Sequence, residues 1–315
     1  MASDRTILLT GGTGLLGSYL LRDLLLADVP LAVMARPTRR QTAADRVAAI
    51  VGGWEEVIGG PLRMPRVLVG DLGQPRCGLG DAELGWVREH CGQVVNNAAS
   101  LTFRGVDRSA EPWRTNVGGT AAMLSLAEAA GIRHVHHVST AYVAGLRSGT
   151  VMEDELDLGQ AYGNDYERSK AEAEATVRAA DHLETATIYR PSIIVGDSAT
   201  SYTSTYHGYY AALRLGHTLL TRVPIGSTSG RALLGLLGIE ADARKNFVPV
   251  DWVSAVITRA ILTPAARGRT FHVTHPEPLP MEFVATVIQE AVEAYSEAAA
   301  PDSPDACDEQ WFAEH

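Results

Sequence analysis

Residues 10–17 read TGGTGLLG, directly after the apolar run Thr6-Ile7-Leu8-Leu9 and directly before a helix-forming stretch, Ser18 to Leu26. A glycine-rich turn between a buried strand and a helix is where a dinucleotide pyrophosphate sits, and here it is the first strand-to-helix junction of the chain. Gly11 permits the tight turn. Gly14 lets the backbone approach the phosphates, and Gly17 lets the helix pack close to the sheet. The helix start offers free N–H groups and a partial positive charge to the diphosphate. Thr13 and Leu15, inside the same turn, join these glycines as candidate cofactor contacts.

The segments that follow alternate. Strands are expected at Leu31–Ala35, Arg66–Gly70, Val94-Val95, His134–Val138 and Ala186–Tyr189. Helices are expected at Thr42–Val51, Asp81–His90, Pro112–Ala130 and Asp165–Ala180. Such alternation implies a parallel sheet covered on both faces, an α/β, Rossmann-type doubly wound fold. After Gly196 the pattern weakens into glycine, serine, threonine and tyrosine, with one helix near Tyr209 to Leu220. It returns with a strand at Asn246–Val250, a helix at Val253–Leu262, a strand at Phe271–Thr274 and a helix at Met281–Ala294. The reading is a cofactor-binding domain over 1–196, its sheet completed by 246–275. A small C-terminal substrate lobe takes 197–245 and 276–315, ending in a mobile acidic tail.

Composition narrows the partners. The 315 residues are 46% hydrophobic and 20% charged, enough for one large domain or a domain with an appendage. A formal charge of −10 argues against nucleic acid and anionic membrane. Cys77, Cys91 and Cys307 form neither a zinc pattern nor a disulfide framework, which fits a reducing, cytoplasmic setting. The first strand leaves no room for a signal peptide, and Arg22, Asp23, Asp28 and Pro30 interrupt the most apolar early stretch, so no membrane span is expected. His207, His217, His272 and His275 lack metal-like spacing, and no metal is expected. Tyr202, Tyr206, Tyr209 and Tyr210 line an acyl pocket or form the lobe's own core.

Only two of the 27 Lys and Arg residues are lysine, Lys170 and Lys245. A position that keeps lysine in an arginine-rich chain points to a compact, tunable ammonium. Lys170 lies four residues after Tyr166 in YERSK, which puts both on one helix face. An ammonium beside a phenol is expected to lower the tyrosine pKa toward neutrality. Ser139 and Thr140, at the carboxyl end of the fifth strand, offer the hydroxyl that would complete the site.

The chain resembles the extended short-chain dehydrogenase/reductase superfamily over nearly its whole length. The resemblance rests on TGGTGLLG at 10–17, GDL at 70–72, NNAAS at 96–100, TNVGGT at 115–120, VSTAY at 138–142, YERSK at 166–170, YRPSIIVG at 189–196 and NFVPVDWV at 246–253. It implies Tyr166 as general acid or base, Lys170 as its partner and ribose contact, and Thr140 as the hydroxyl on the substrate oxygen. Ser139 is then read as satisfying a strand-end backbone group. It also implies Asp71 and Leu72 by the adenine, Ala98 and Ala99 along the cofactor, Asn116 organising the site, and Pro191 and Ile193 against the nicotinamide. A dimer through the helix bearing Tyr166 is common in the superfamily.

The second strand ends in Ala35-Arg36-Pro37, with no acidic residue to hold a ribose 2′-hydroxyl. An arginine there accepts a 2′-phosphate, so NADP(H) is expected, with Arg36 as the leading contact and Arg39, Arg40 and Arg46 nearby. Within the superfamily, HVSTAYVAG at 137–145, NDYERSKAEAE at 164–174, IYRPSIIVGDS at 188–198 and FVPVDWVSAVI at 247–257 resemble the thioester-reductase and fatty-acyl-reductase group. Arg36 and Arg46 match that group's pattern as well. One departure is Asn96-Asn97, where relatives often carry histidine. The chain's end at His315 is short for an acyl reductase, so a reduced gating segment is expected. The resemblance implies NADPH-dependent reduction of an acyl thioester, on CoA or a carrier protein, to aldehyde or alcohol. The alternatives are a ketone or alcohol dehydrogenase, a nucleotide-sugar epimerase or dehydratase using the same triad, and a cofactor-binding scaffold. Arg214, Arg222 and Arg231 would serve a second diphosphate or a CoA phosphate equally well.

Overall fold

The computed structural model describes residues 5–204, 210, 240 and 242–298. Seven strands form one parallel sheet: β1 Thr6–Thr10, β2 Leu31–Ala35, β3 Arg66–Val69, β4 Cys91–Asn96, β5 His134–Val138, β6 Thr185–Pro191 and a late strand, Thr270–Val273. In spatial order they run late strand–β6–β5–β4–β1–β2–β3. The order reverses between β1 and β4, the switch point at whose carboxyl edge ligands bind in such sheets. The helices α1 Leu15–Leu26, α2 Ala43–Ile58, α3 Asp81–His90, α4 Gly119–Ala130 and α5 Asp165–Arg178 connect the strands. The fold is the doubly wound α/β architecture expected from the alternating pattern.

Strands buried on both faces need near-continuous apolar sequence, and LAVMA of β2 is buried at every position. Leu8, Met34, Leu68, Val94, Val135 and Ile188 of the sheet pack with Val87, Met123, Leu126 and Ala127 of α3 and α4. Each of these side chains larger than alanine contributes about 1.5–3 kcal/mol through burial.

Helix boundaries differ where tertiary contacts override local preference. α2 runs through Gly52-Gly53, although Val51 is its last expected residue. Trp54 carries it on: its indole N–H donates to the Ser18 carbonyl at 3.0 Å, its ring meets Tyr19 edge-on at 4.8 Å, and the Arg22 guanidinium lies 4.6 Å from its centre. α2 begins at a reciprocal cap between Thr42 and Asp45. The helix expected from Pro112 opens instead with a π-helical turn, Arg114–Gly118, before α4 proper. That extra residue per turn is a common device at functional sites.

The chain divides into two compact units, residues 1–192 with 250–274, and residues 193–249 with 275–315. In the first, Val250–Ile261 forms a helix on α1, where Ser254 donates to Asp23 at 2.6 Å. In the second, β7 Ile193–Val195 pairs in parallel with β9 Phe247–Pro249, and β8 Arg244–Lys245 pairs antiparallel with β11 Leu279–Pro280, so that the late sheet strand is β10 and the helix on α1 is α6. A final helix, α7 Met281–Ala298, packs Met281, Val284 and Ala285 on Ala243 and Phe247. The expectation that 246–250 adds to the main sheet is thus corrected: those residues pair with β7, and β10 alone extends the sheet beyond β6. The expected helix near Tyr209 to Leu220 lies outside the described residues, as do Tyr206, Tyr209, His207, His217, Arg214, Arg222, Arg231, Cys307 and the acidic tail beyond Ala298. Among the described residues, no helix is long and apolar enough to cross a membrane, and no His/Cys/Asp/Glu group is arranged to hold a metal.

Candidate active site

The glycine turn is built for close backbone packing. Gly11 takes φ +68°, and a Cβ there would lie 2.6 Å from the Ala98 amide nitrogen. A Cβ on Gly17 would lie 1.9 Å from the Gly11 carbonyl oxygen, so α1 reaches the turn only with glycine at that position. Gly14 differs: its Cβ would meet only the Gly11 oxygen, at an ordinary 3.6 Å. Gly14 is exposed and caps α1 with no side-chain hydrogen bond and no acidic residue in the first turn. Open N–H groups on an unobstructed helix start fit a pyrophosphate.

The chain leaving β4 crosses this turn. Asn97 donates from Nδ2 to the Gly11 carbonyl at 3.2 Å, and the Ala98 amide donates to Thr10 Oγ1 at 3.2 Å. Asn96 is buried, accepting from Thr10 at 2.9 Å and lying 3.1 Å from His137 Nδ1. The unusual Asn96-Asn97 pair therefore locks the glycine turn to β4 and β5. Ala98 and Ala99 lie in this crossing segment, Ala99 exposed.

Arg46 ties the second strand's end to the glycine turn. Its guanidinium donates to the Arg36 carbonyl at 2.6 Å and to Thr13 Oγ1 at 2.9 Å. Arg36 is exposed and lies 3.7 Å from Asp71, whose carboxylate also accepts from the Gly73 amide at 2.9 Å. Arg39 and Arg40 are exposed beside it in sequence. Leu72 packs where a Gly119 Cβ would meet it at 3.0 Å.

Asn116, in the π-helical turn, is the organiser. It accepts from the Ser100 amide at 2.8 Å and donates to the Ser100 carbonyl at 3.1 Å and to Ser169 Oγ at 2.9 Å. Ser169 in turn donates to the Tyr166 carbonyl at 2.8 Å. One buried amide thus joins the segment after β4 to α5.

α5 starts from Asn164, whose side chain accepts from the Glu167 amide at 3.0 Å. Tyr166, Lys170 and Glu174 recur every four residues and share one face. Tyr166 is partly buried, with its side chain beside Thr140. Burial pushes the phenol up to about 12, with Thr140 opposing and Glu167 and Tyr142 reinforcing the shift. Lys170 is fully buried and donates to the Val138 carbonyl at 2.7 Å. Burial lowers its ammonium to about 8, against the opposing charge of Glu174. The expected lysine-driven lowering of the tyrosine pKa is corrected here: Lys170 is committed to the β5 backbone, and desolvation raises the phenol.

Ser139 is corrected as well. Its hydroxyl donates to Glu174 at 2.7 Å, so it serves a carboxylate, not a backbone group. Glu174 and Arg190 are both fully buried and paired at 2.7 Å. Arg178 donates to the same carboxylate at 2.8 Å. Burial raises the Glu174 carboxyl, but Arg190, Ser139 and Arg178 outweigh it and hold the group below the usual range. Arg190 also donates to the Glu155 carbonyl at 2.7 Å and lies 3.1 Å from His272 Nε2. Sequence reading passed over Glu174 and Arg190. The four-residue spacing from Lys170 and an arginine inside a buried parallel strand were the available signals.

Of the remaining expected contacts, Pro191 ends β6, where its carbonyl accepts from Thr140 Oγ1 at 3.4 Å. Ile193 belongs to β7 of the second unit. Tyr202 is exposed, and the Tyr210 hydroxyl accepts from the Gly196 amide at 2.6 Å.

A family model described as "Male sterility protein" matches residues 9–257. The chain is 26% identical over 295 residues to the nonribosomal peptide synthetase asaC of Aspergillus flavus, covering 88% of this chain and 26% of that protein. It is also 26% identical over 300 residues to the L-2-aminoadipate reductase large subunit of Penicillium chrysogenum, covering 88% of this chain and 20% of that protein. It therefore spans about a quarter or less of the length of these curated relatives. Among solved structures, the terminal R domain from the myxalamid PKS-NRPS biosynthetic pathway superposes with a TM-score of 0.72 at 28% identity, covering 95% of this chain and 75% of that one. With the glycine turn, the Thr-Tyr-Lys constellation and a model match across most of its length, the chain belongs to the male sterility protein family, the NAD(P)-binding branch of the extended short-chain dehydrogenases/reductases that includes thioester reductases.

Proposed function

We propose that the protein is an NADPH-dependent reductase of an acyl thioester carried on CoA or a carrier protein. The observation that carries this reading is the placement of Tyr166 beside Thr140 at the carboxyl end of β5, in a chain that matches the male sterility protein model. Gly11, Thr13, Gly14, Leu15 and Gly17 hold the pyrophosphate, Asp71 and Leu72 the adenine end, and Arg36 the 2′-phosphate with Arg46 bracing it. Ala98, Ala99, Asn116, Lys170 and Pro191 complete the cofactor contacts. The nicotinamide supplies hydride to the thioester carbonyl carbon when bound. Thr140 and Tyr166 donate hydrogen bonds to the oxygen as it gains negative charge. Tyr166, with a pKa raised to about 12, is protonated at neutral pH and gives its proton to that oxygen. The tetrahedral hemithioacetal then collapses: the C–S bond breaks, the hydroxyl proton passes to sulfur, and thiol and aldehyde leave. Reduction of the aldehyde on to the alcohol would take a second NADPH, with Tyr166 again the proton donor.

NADPH oxidation by the purified protein with acyl-CoA thioesters, aldehydes and ketones tests this. Consumption with thioesters is expected. Consumption with ketones alone makes the protein a carbonyl reductase.

Two further results are expected. Arg36→Ala raises the KM for NADPH by about tenfold or more, the loss of a charge-assisted hydrogen bond, and leaves NADH unaffected. Equal loss with both cofactors removes Arg36 from the 2′-phosphate. The pH profile of kcat/KM falls above about pH 8, as the Lys170 ammonium loses its proton. Removing the opposing charge with Glu174→Gln moves that limb to lower pH. A limb that stays in place assigns it to another group.

A further inference from the structure

The loop after β4 carries the aromatic ring that meets Tyr166. Phe103 packs edge-on against Tyr166, with ring centres 5.9 Å apart and planes at 76°. Yet Phe103 is 45% exposed, so much of its ring faces away from protein. A single exposed phenylalanine is ordinary on a mobile surface loop. This loop is instead clamped along α5. Asn116 holds its start at Ser100. The Asp165 amide donates to the Phe103 carbonyl at 3.0 Å, and the Gly105 amide donates to the Asp165 carboxylate at 2.8 Å. Arg108 reaches Glu172 through a fork at 2.7 and 3.0 Å while lying 4.2 Å from the centre of the Trp113 ring. Every one of these attachments is polar or backbone, except the Arg108–Trp113 contact. None of them uses the Phe103 ring, which is held open beside the phenol.

We propose that Phe103 selects the acyl group, its ring forming the apolar wall against which the first carbons of the acyl chain lie. The inference rests on the thioester-reductase reading and deepens it by naming a substrate class. A carbonyl oxygen bound to Tyr166 and Thr140 places the adjoining acyl carbons within a few ångströms of the phenol ring, and Phe103 is the aromatic neighbour of that ring. Charge of both signs lies around it, Arg104 next in the chain and Asp165 binding the loop, so the selection rests on the apolar ring. The class is therefore an alkyl or aryl acyl thioester. An acyl group with a second carboxylate would have to desolvate that charge against an apolar ring.

The test measures kcat/KM for acetyl-, hexanoyl- and succinyl-CoA with the wild-type protein, Phe103→Ala and Phe103→Leu, with NADPH binding followed by fluorescence as a check on folding. Wild type is expected to favour hexanoyl- over succinyl-CoA. Phe103→Ala is expected to lose about tenfold with hexanoyl-CoA and much less with acetyl-CoA, and Phe103→Leu to recover most of the loss. An equal loss with every thioester means that Phe103 only steadies Tyr166, and overturns the proposal. So does an unchanged chain-length preference. Wild-type protein that binds NADPH and reduces none of the thioesters overturns the thioester reading itself, a result distinct from either of these.

Discussion

Replacing Tyr166 with phenylalanine is expected to lower thioester reduction by roughly 10²- to 10⁴-fold, the contribution of a positioned proton donor. NADPH affinity should change little, because the ring and its edge contact with Phe103 are retained. In the proposed reaction the phenol delivers a proton to the carbonyl oxygen, and Thr140 beside it stays in place to hold that oxygen. Steady-state turnover read beside a fluorescence titration of NADPH separates the two effects. A variant that keeps most of its activity makes another group the donor. A variant that loses NADPH binding in step with turnover gives the phenol a structural role.

The second large effect is on stability. Arg190→Met is expected to destabilise the protein by about 3–5 kcal/mol, since it leaves the Glu174 carboxylate buried without its main partner. Arg178 still reaches Glu174, but Arg178 is partly solvated and closes only one side of it. The double variant Arg190→Met/Glu174→Leu is expected to be less destabilised than the two single losses summed, by about 0.5–3 kcal/mol, because no buried charge is stranded. Recovery stops short of the wild type, for Ser139 loses its acceptor and Arg190 no longer holds the Glu155 carbonyl. Urea unfolding curves measure all three. Additive losses show that the two side chains act independently. Glu174 is held below the usual carboxylate range, so its stabilisation is in place at neutral pH and is lost as pH falls through that lowered value.

The fold was legible because its signals are local. Leu31–Ala35, Asp81–His90 and His134–Val138 form at the boundaries their apolar runs and flanking residues imply. The glycine turn reads equally well, as Gly11 and Gly17 obey backbone geometry that any sequence must satisfy. The placement of Tyr166 and Lys170 on one helix was legible by spacing, and that of Thr140 just past β5 by the strand pattern. What the ammonium binds was not. Lys170 donates to Val138, 32 positions away, and burial of the phenol is a property of the packed site. Glu174 and Arg190 form their pair across 16 positions, which no periodicity reports. The π-helical turn at Arg114–Gly118 stayed hidden for a related reason: it is shaped by Asn116 reaching Ser100 and Ser169 at once. Trp54 carried α2 past two glycines through contacts with α1.

In the proposed reaction hydride passes to the carbonyl carbon of an acyl thioester, with thiol as leaving group. It is tested most directly by incubating the wild-type protein with hexanoyl-CoA and NADPH deuterated at the transferring C4 position, and weighing the product. Hexanal with one deuterium on C1, or hexanol with two, is expected together with free CoA. Release of CoA with no deuterium in the six-carbon product, or label taken up only when a ketone is supplied, contradicts it.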